Sequence, residues 1–319
     1  MSVGEPRWKT TIIGLMEAAL VITIAFSVAT AFNEWHRFLE LFSHFRLQYF
    51  VVSLLLTVAF GILKWRGYVI AGIAVTVFNG WFIVPWYLPN GSEADSSDVT
   101  VVLSNVLASN GNAERFLSFV EETQPELLIM QEATPDWIQQ IDSLDSSYPY
   151  KVTEPRDDPF GIALYSKFPL DVTAVNASYP LDFPEIVARA IIADQRLNII
   201  STHPIPPIGQ TNYGSRNLQL DAVAKLAART PEPLMLIGDL NITMWANHYD
   251  RLVETSGLQN ARQGFGIKPT WPLFMPFAMI PIDHCMVSDD ITVTSFRTGP
   301  NIGSDHLPIV VTLSLSPTT

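Results

Sequence analysis

The stretch LMLIGDLN (234–241) runs apolar from Leu234 to Ile237 and then sets a carboxylate and an amide, Asp239 and Asn241, just beyond the run. A short apolar run without alternation predicts a strand covered on both faces, as in a layered α/β domain. Working outward, the same pattern recurs in VTVVLSNVL (99–107), ELLIMQE (126–132), GIALYS (161–166), ARAIIAD (188–194), LNIISTH (197–203), IDHCMVS (282–288) and IVVTLSL (309–315). Two intervening stretches, NAERFLSFVEET (112–123) and SRNLQLDAVAKLAA (215–228), have helical spacing and are stopped by Pro125 and Pro231. Strands mixed with helices argue for an α/β domain.

Five of the apolar strands end in a group capable of chemistry: Asn105, Glu132, His203, Asp239 with Asn241, and Asp283. Ligand sites of α/β folds gather at strand ends, and a carboxylate buried there needs a cation or a partner to offset its desolvation. GSDHLPIV (303–310) adds Asp305 and His306 in front of the last strand. Neighbours on a strand point to opposite faces, so a bend is needed for both to reach one pocket, and the stretch supplies a Gly and a Pro. The set is rich in oxygen and holds two imidazoles, which suits a hard cation, Mg²⁺ or Mn²⁺, rather than a thiolate zinc site.

The remainder of the chain is of another kind. Of 319 residues, 48% are hydrophobic, and mean hydropathy is +0.22. The excess is concentrated in three runs, 11–32, 48–63 and 67–88, whose only charge is Glu17. Crossing a bilayer takes about 20 apolar residues, so these are read as three transmembrane spans, the second once its flanks are included. A cleaved signal peptide would have a shorter apolar run and no successors. Glu17 lies near the start of its span and is expected to snorkel. Arg7 and Lys9 before the first span and Lys64 and Arg66 between the second and third set the amino terminus inside, with Arg37 and Arg46 opposing. Everything after residue 88 is then outside, which in a bacterium means the periplasmic or exoplasmic side of the inner membrane.

A polar linker, PNGSEADSSD (89–98), marks the boundary. Residues 1–90 hold six Lys/Arg and four Asp/Glu; the remainder holds 13 and 27, a net charge of −14. The domain expected at 99–319, in which Asp and Glu outnumber Lys and Arg, presents no broad basic face for duplex DNA. Cys285 is the single cysteine, so no disulfide staples the domain; after Asp283 and His284 it reads as a ligand or nucleophile, or as a small apolar strand residue.

The ordered motifs SNV, MQE, GIALYSKFPL, STHP, GDLN, PTWP, IDH and GSDHLPIV resemble those of the endonuclease/exonuclease/phosphatase superfamily over 99–315. The resemblance implies a four-layer α/β sandwich, two mixed sheets with helices outside, and hydrolysis of a phosphate ester with Mg²⁺. It implies Glu132 as the principal metal ligand with Asn105 and Asp305 beside it. The resemblance further implies that Asp239 orients or deprotonates the attacking water, that Asn241 and His203 contact the phosphate, and that His306 lies beside it, oriented by Asp283. Trp271 and Arg216 complete the set as substrate contacts, Arg216 reading also as a helix-face residue. Many nucleases of the group carry a carboxylate two residues after the first Asn; Leu107 stands there, which favours one metal.

Taken singly, Asn105 also reads as a turn residue, Asn241 as an Asx-turn and His203 as a core imidazole. His284 is expected to point away from its neighbour Asp283, and His248 has no supporting motif. TWPLFMPFAMIP (270–281) is aromatic and Met-rich, either core packing or a loop that touches lipid or stacks on substrate. Two classes of function remain at this level. One is a membrane-anchored phosphodiesterase, a nuclease first and a sphingomyelinase-like phospholipid phosphodiesterase or phosphomonoesterase second. The other is a binding domain that kept the fold but lost catalysis; such a chain would be expected to lack Glu132, Asp239 or His306, and all three are present.

Overall fold

The computed structural model describes residues 7–89, 98–192 and 195–315; the expected linker, apart from its two ends, and Asp194 lie outside these. Two units are distinguished, Met1–Trp86 with Trp245–Asn247, and Tyr87–Met244 with His248–Thr319.

The first unit is built of helices α1 (Arg7–Ala29), α2 (Arg37–Ser43), α3 (Arg46–Ile62) and α4 (Arg66–Ile83). Among the described residues, two segments are long and apolar enough to cross a membrane, Thr11–Phe32 and Arg66–Tyr87. The expected second span is α3, which is bent by 57° from α2; if that pair counts as one span there are three. Large apolar side chains on these helices, among them Leu15, Ile62, Ile70 and Trp81, are exposed, while Leu20, Phe60 and Val75 meet inside. An apolar exterior is the pattern of a surface solvated by lipid. Polar groups pair within the bundle instead: Asn79 Nδ2 donates to Ser27 Oγ at 2.8 Å and Thr76 Oγ1 to Ser53 Oγ at 2.9 Å.

The second unit has two six-stranded sheets. In chain order its elements are β1 (Asp98–Asn105), α5 (Glu114–Thr123), β2 (Leu127–Gln131), α6 (Pro135–Gln140), β3 (Tyr150–Glu154), β4 (Ile162–Ser166), β5 (Leu170–Ser178), β6 (Phe183–Ile192), β7 (Gln195–Ser201), α7 (Gly209–Ala227), β8 (Leu234–Asp239), α8 (Asn247–Ser256), β9 (Gln259–Asn260), β10 (Asp283–Val287), β11 (Ile291–Thr298) and β12 (Ile309–Leu315). One sheet has the order β11-β12-β1-β2-β4-β3 and the other β5-β6-β7-β8-β10-β9. Both are mixed, with one parallel pair at the centre of each, β1 with β2 and β7 with β8. This is the four-layer arrangement expected from the motifs.

The apolar strands are apolar throughout because each of their faces is covered. On β2, Leu127 and Ile129 face the other sheet in the central core, whereas Leu128 and Met130 join Phe116, Phe119 and Val120 of α5 on the far side. Those three residues of α5 recur at helical spacing, and the helix ends at Gln124 in a left-handed conformation just before Pro125. Cys285 lies fully buried in the central core among Ile237, Met235 and Val287, the packing role of a small apolar residue. Burial also pushes its thiol up to about 12, which leaves no thiolate for ligation.

A buried acid on β6 makes a test of the core. Glu185 lies against Thr202, and burial, partly offset by that hydrogen bond, raises its carboxyl to about 7 from 4.5. Between these two pH values the folded chain holds a proton that the unfolded chain has released, so stability falls as pH rises through the window and stays low above it. Glu185→Gln removes the ionisation. The variant is expected to be more stable than wild type at pH 8 by on the order of 3 kcal/mol and to show no such gain at pH 4, as read by denaturant unfolding at both pH values.

Candidate active site

Three central strands, β1, β2 and β8, deliver Asn105, Glu132 and Asp239 from their carboxyl ends, and His203 follows β7 in the same way. Asp283 differs from expectation, because it begins β10 rather than ending a strand. Since β10 runs antiparallel to β8, with Asp283 opposite Asp239 in register, the start of one strand meets the end of the other. Asp305 and His306 lie in the bend ahead of β12, which is antiparallel to β1 and begins at Ile309. Gly303 makes the bend with φ of 94°, a left-handed value that side chains resist. The bend brings both neighbouring side chains to one end of the sandwich.

Asp239 is the meeting point. One oxygen, Oδ2, lies 3.4 Å from Asn105 Nδ2, 3.5 Å from His203 Nε2 and 3.6 Å from His306 Nε2. The other, Oδ1, accepts the Asn241 backbone N–H at 2.9 Å. Behind His306, Nδ1 donates to Asp283 Oδ2 at 2.9 Å, which fixes the ring and leaves Nε2 facing Asp239. Burial opposes a charge on His306, but Asp283, Asp239 and Asp305 outweigh it and raise its pKa to about 10. Burial likewise pushes the Asp239 carboxyl up, and His306 and His203 outweigh it, so that it stays below the usual range. The site therefore rests as a carboxylate between imidazoles at neutral pH.

Glu132 and Asp305 flank this centre. Glu132 has φ of 62° and accepts from Asn105 Nδ2 at 3.0 Å and from the Ala108 N–H at 2.9 Å. Asp305 Oδ2 accepts the Trp271 indole N–H at 2.9 Å, whereas Oδ1 is buried without a hydrogen-bond partner among the described residues. Among the described residues, Asp239, Asp283 and His306 form a group whose ligand atoms all lie within 4.8 Å of one another. Two of those three are already spent on the 2.9 Å pair, so that group is better described as a hydrogen-bonded relay than as a cage for an ion. Leu107, standing where a carboxylate was noted as missing, contributes only backbone: its N–H goes to Asn105 Oδ1 and its carbonyl accepts from Trp137.

Other sequence-selected residues lie around this centre. Arg216 is fully buried, its Nη1 donating to the Asn241 carbonyl at 2.8 Å, so it props the loop that carries Asn241 and is neither a surface contact nor an exposed helix-face residue. Trp271 holds Asp305 and keeps its ring 6.3 Å from that of His306. His284 turns away from Asp283: Nε2 donates to the Ile242 carbonyl, and Nδ1 faces Asn260 and Arg262. Burial and then Arg262 lower it to about 3, a neutral imidazole. His248 sits apart beside Tyr213.

Gln131, the neighbour of Glu132 in MQE, is a functional residue that the strand-end pattern does not mark. Its side chain joins the sheets at the site, Oε1 accepting the Asp239 N–H at 2.7 Å and Nε2 donating to the Thr202 carbonyl at 2.8 Å. A lone amide in an apolar strand was the available signal. Arg262, also fully buried, donates to the Asp283 carbonyl at 2.7 Å from behind.

A profile of the Endonuclease/Exonuclease/phosphatase family matches residues 102–306, a span that contains every residue of this site. The chain belongs to that family. Members of the endonuclease/exonuclease/phosphatase family are metal-dependent hydrolases of phosphoric esters, and this chain is such a hydrolase. Solved structures of family type share the fold. D. rerio TDP2 complexed with single strand DNA product is 17% identical with a TM-score of 0.56, covering 68% of this chain and 99% of that one. The human Nocturnin catalytic domain with bound sulfate anion is 18% identical with a TM-score of 0.54, covering 70% and 97%. An endonuclease/exonuclease/phosphatase from Beutenbergia cavernae is 16% identical with a TM-score of 0.55, covering 69% and 72%. Among curated proteins none matches.

Proposed function

We propose that the chain is a membrane-tethered phosphodiesterase that uses Mg²⁺, with Mn²⁺ as a substitute. The observation that carries this reading is the convergence of Asn105, His203 and His306 on one oxygen of Asp239. A carboxylate kept ionised among donors is suited to accept a hydrogen bond from the attacking water and orient it, while the imidazoles and the Asn241 amide face charge that develops on a phosphate. In this reading Asp239 orients or deprotonates water, His203, Asn241 and His306 bind the phosphoryl oxygens, and Asp283 keeps His306 oriented and charged.

Glu132, Asn105 and Asp305 would hold the metal. Their oxygens suit a hard cation, and the orphaned, buried Oδ1 of Asp305 is a lone pair without a protein donor. A bound divalent ion supplies Lewis-acid stabilisation of phosphoryl charge. Trp271 then acts through Asp305, aiming it, in addition to any contact with substrate.

Nucleic acid is the first substrate class, supported by the likeness to TDP2 complexed with a single strand DNA product. Phospholipid is the second, favoured by exposed Phe274 and Phe277 on the loop that Trp271 begins. The helices 11–88 would tether the domain to the inner membrane of a bacterium, with the positively charged flanks at Arg7, Lys9, Lys64 and Arg66 inside and the site outside. The test is a panel of single- and double-stranded DNA, RNA and phosphatidylcholine or sphingomyelin vesicles, incubated with the full chain in Mg²⁺ or EDTA. Turnover of one class that vanishes in EDTA and in His306→Ala assigns the substrate; equal turnover by His306→Ala refutes the proposed site.

A further inference from the structure

Between Trp271 and Ile280 the chain leaves the sheets as a loop closed at its base by an antiparallel bridge between those two residues. The sequence left open whether this aromatic stretch packs inside. Trp271, Pro272 and Ile280 do pack, but Phe274 is 70% exposed, Phe277 79% and Met275 37%. Three large apolar side chains within four residues form a patch. Residues 272–279, PLFMPFAM, carry no charge and no polar side chain, so the patch offers nothing to a phosphate backbone or a polar protein surface.

Two observations select its occupant. The same chain carries helices long and apolar enough to cross a membrane, and only residues 88–97 separate the last of them from β1. A bilayer is thus always close at hand. The net charge of −14 beyond residue 90 gives no attraction to anionic lipid, so contact must come from apolar side chains, and Phe with Met is suited to the boundary between headgroups and acyl chains. The base of the loop is fixed to the site, since Trp271 donates to Asp305 and the Leu273 N–H donates to the Asp305 carbonyl at 2.8 Å.

We propose that Phe274, Met275 and Phe277 insert into the interfacial layer of the bilayer that the chain is tethered to, so that the site works against a membrane surface. The inference rests on the membrane tether and not on which phosphoester is cleaved. Cys285, the single cysteine, is buried in the core, so a Met275→Cys variant can be labelled at one position with an environment-sensitive fluorophore while both phenylalanines stay. The full chain is reconstituted in phosphatidylcholine nanodiscs with and without doxyl-labelled lipid, with Leu55→Cys in α3 and Glu122→Cys on the exposed side of α5 as references. Insertion gives a blue-shifted Met275→Cys label quenched towards the extent of the Leu55→Cys label, and adding Phe274→Ser and Phe277→Ser abolishes the quenching. A label that resembles Glu122→Cys, or one that is blue-shifted yet unquenched because a second copy covers it, overturns the proposal. Absence of quenching at Leu55→Cys overturns it as well, since the tether is then lost.

Discussion

Replacing Asp239 by Asn is expected to lower kcat for phosphodiester hydrolysis by about 10³-fold or more, the scale of losing a positioned base together with transition-state electrostatics. The amide has the shape of the carboxylate and can still accept the Asn241 N–H. Its NH₂ would then confront Asn105 Nδ2 and the Nε2 atoms of His203 and His306, which are donors aimed at the present oxygen. His306 also loses one of the anions that hold its pKa at about 10. Steady-state kinetics beside thermal unfolding check this: a rate within tenfold of wild type would remove Asp239 from the chemistry, whereas a loss of rate with an unchanged unfolding midpoint keeps it there.

Replacing Gly238 by Ala is expected to be strongly destabilising for a change of a single methyl group. A Cβ at that position would lie 1.9 Å from the Thr202 carbonyl oxygen and 2.8 Å from Gln131 Nε2. The nearest obstacle is backbone, so β7 and β8 must separate, and the Gln131 bridge that spans the two sheets at Thr202 and Asp239 is pushed out with them. Overpacking of this kind costs about 3 kcal/mol or more, and for a domain of this size that lowers Tm by roughly 10 °C. The bridge also sets the Asp239 backbone, so kcat should fall alongside stability. An Ala variant that unfolds at the wild-type temperature would show that β7 and β8 can part at no cost.

What could be read from the sequence divides by position in the sheets. The eight stretches expected to be strands are β1, β2, β4, β6, β7, β8, β10 and β12, all of them interior. The four not foreseen, β3, β5, β9 and β11, are the four edges. Interior strands are covered on both sides and so cannot carry polar residues without partners, which makes them stand out as apolar runs. An edge strand such as ITVTSFRT of β11, or YKVTE of β3 with its exposed lysine, is half wet, and its pattern resembles that of a loop. Helix α7 begins six residues ahead of its expected start because GQTNYG lacks an apolar stripe.

The ends of the interior strands were legible for the same reason. Asn105, Glu132, His203, Asp239, Asp283 and His306 are polar residues next to apolar runs, and each is placed at one end of the sandwich. The supports behind them were not legible. Gln131, Gly238, Arg216 and Arg262 act through contacts with residues tens of positions away in the chain, and no local spacing encodes a bond from Arg262 to the Asp283 carbonyl or from Arg216 to Asn241. Phe274 and Phe277 were ambiguous because an aromatic cluster looks alike in a core and on a lipid-facing loop until burial is known.

The measurement to make first is the Mg²⁺ dependence of hydrolysis of a chromogenic phosphodiester by the full chain, for wild type and Glu132→Gln side by side. A hydrolase with its ion held at Glu132, Asn105 and Asp305 shows turnover that rises to saturation with Mg²⁺, disappears in EDTA, and in Glu132→Gln either requires far more Mg²⁺ or fails at any concentration. Turnover that persists in EDTA, or a Glu132→Gln titration that overlays wild type, would contradict a metal site at these residues.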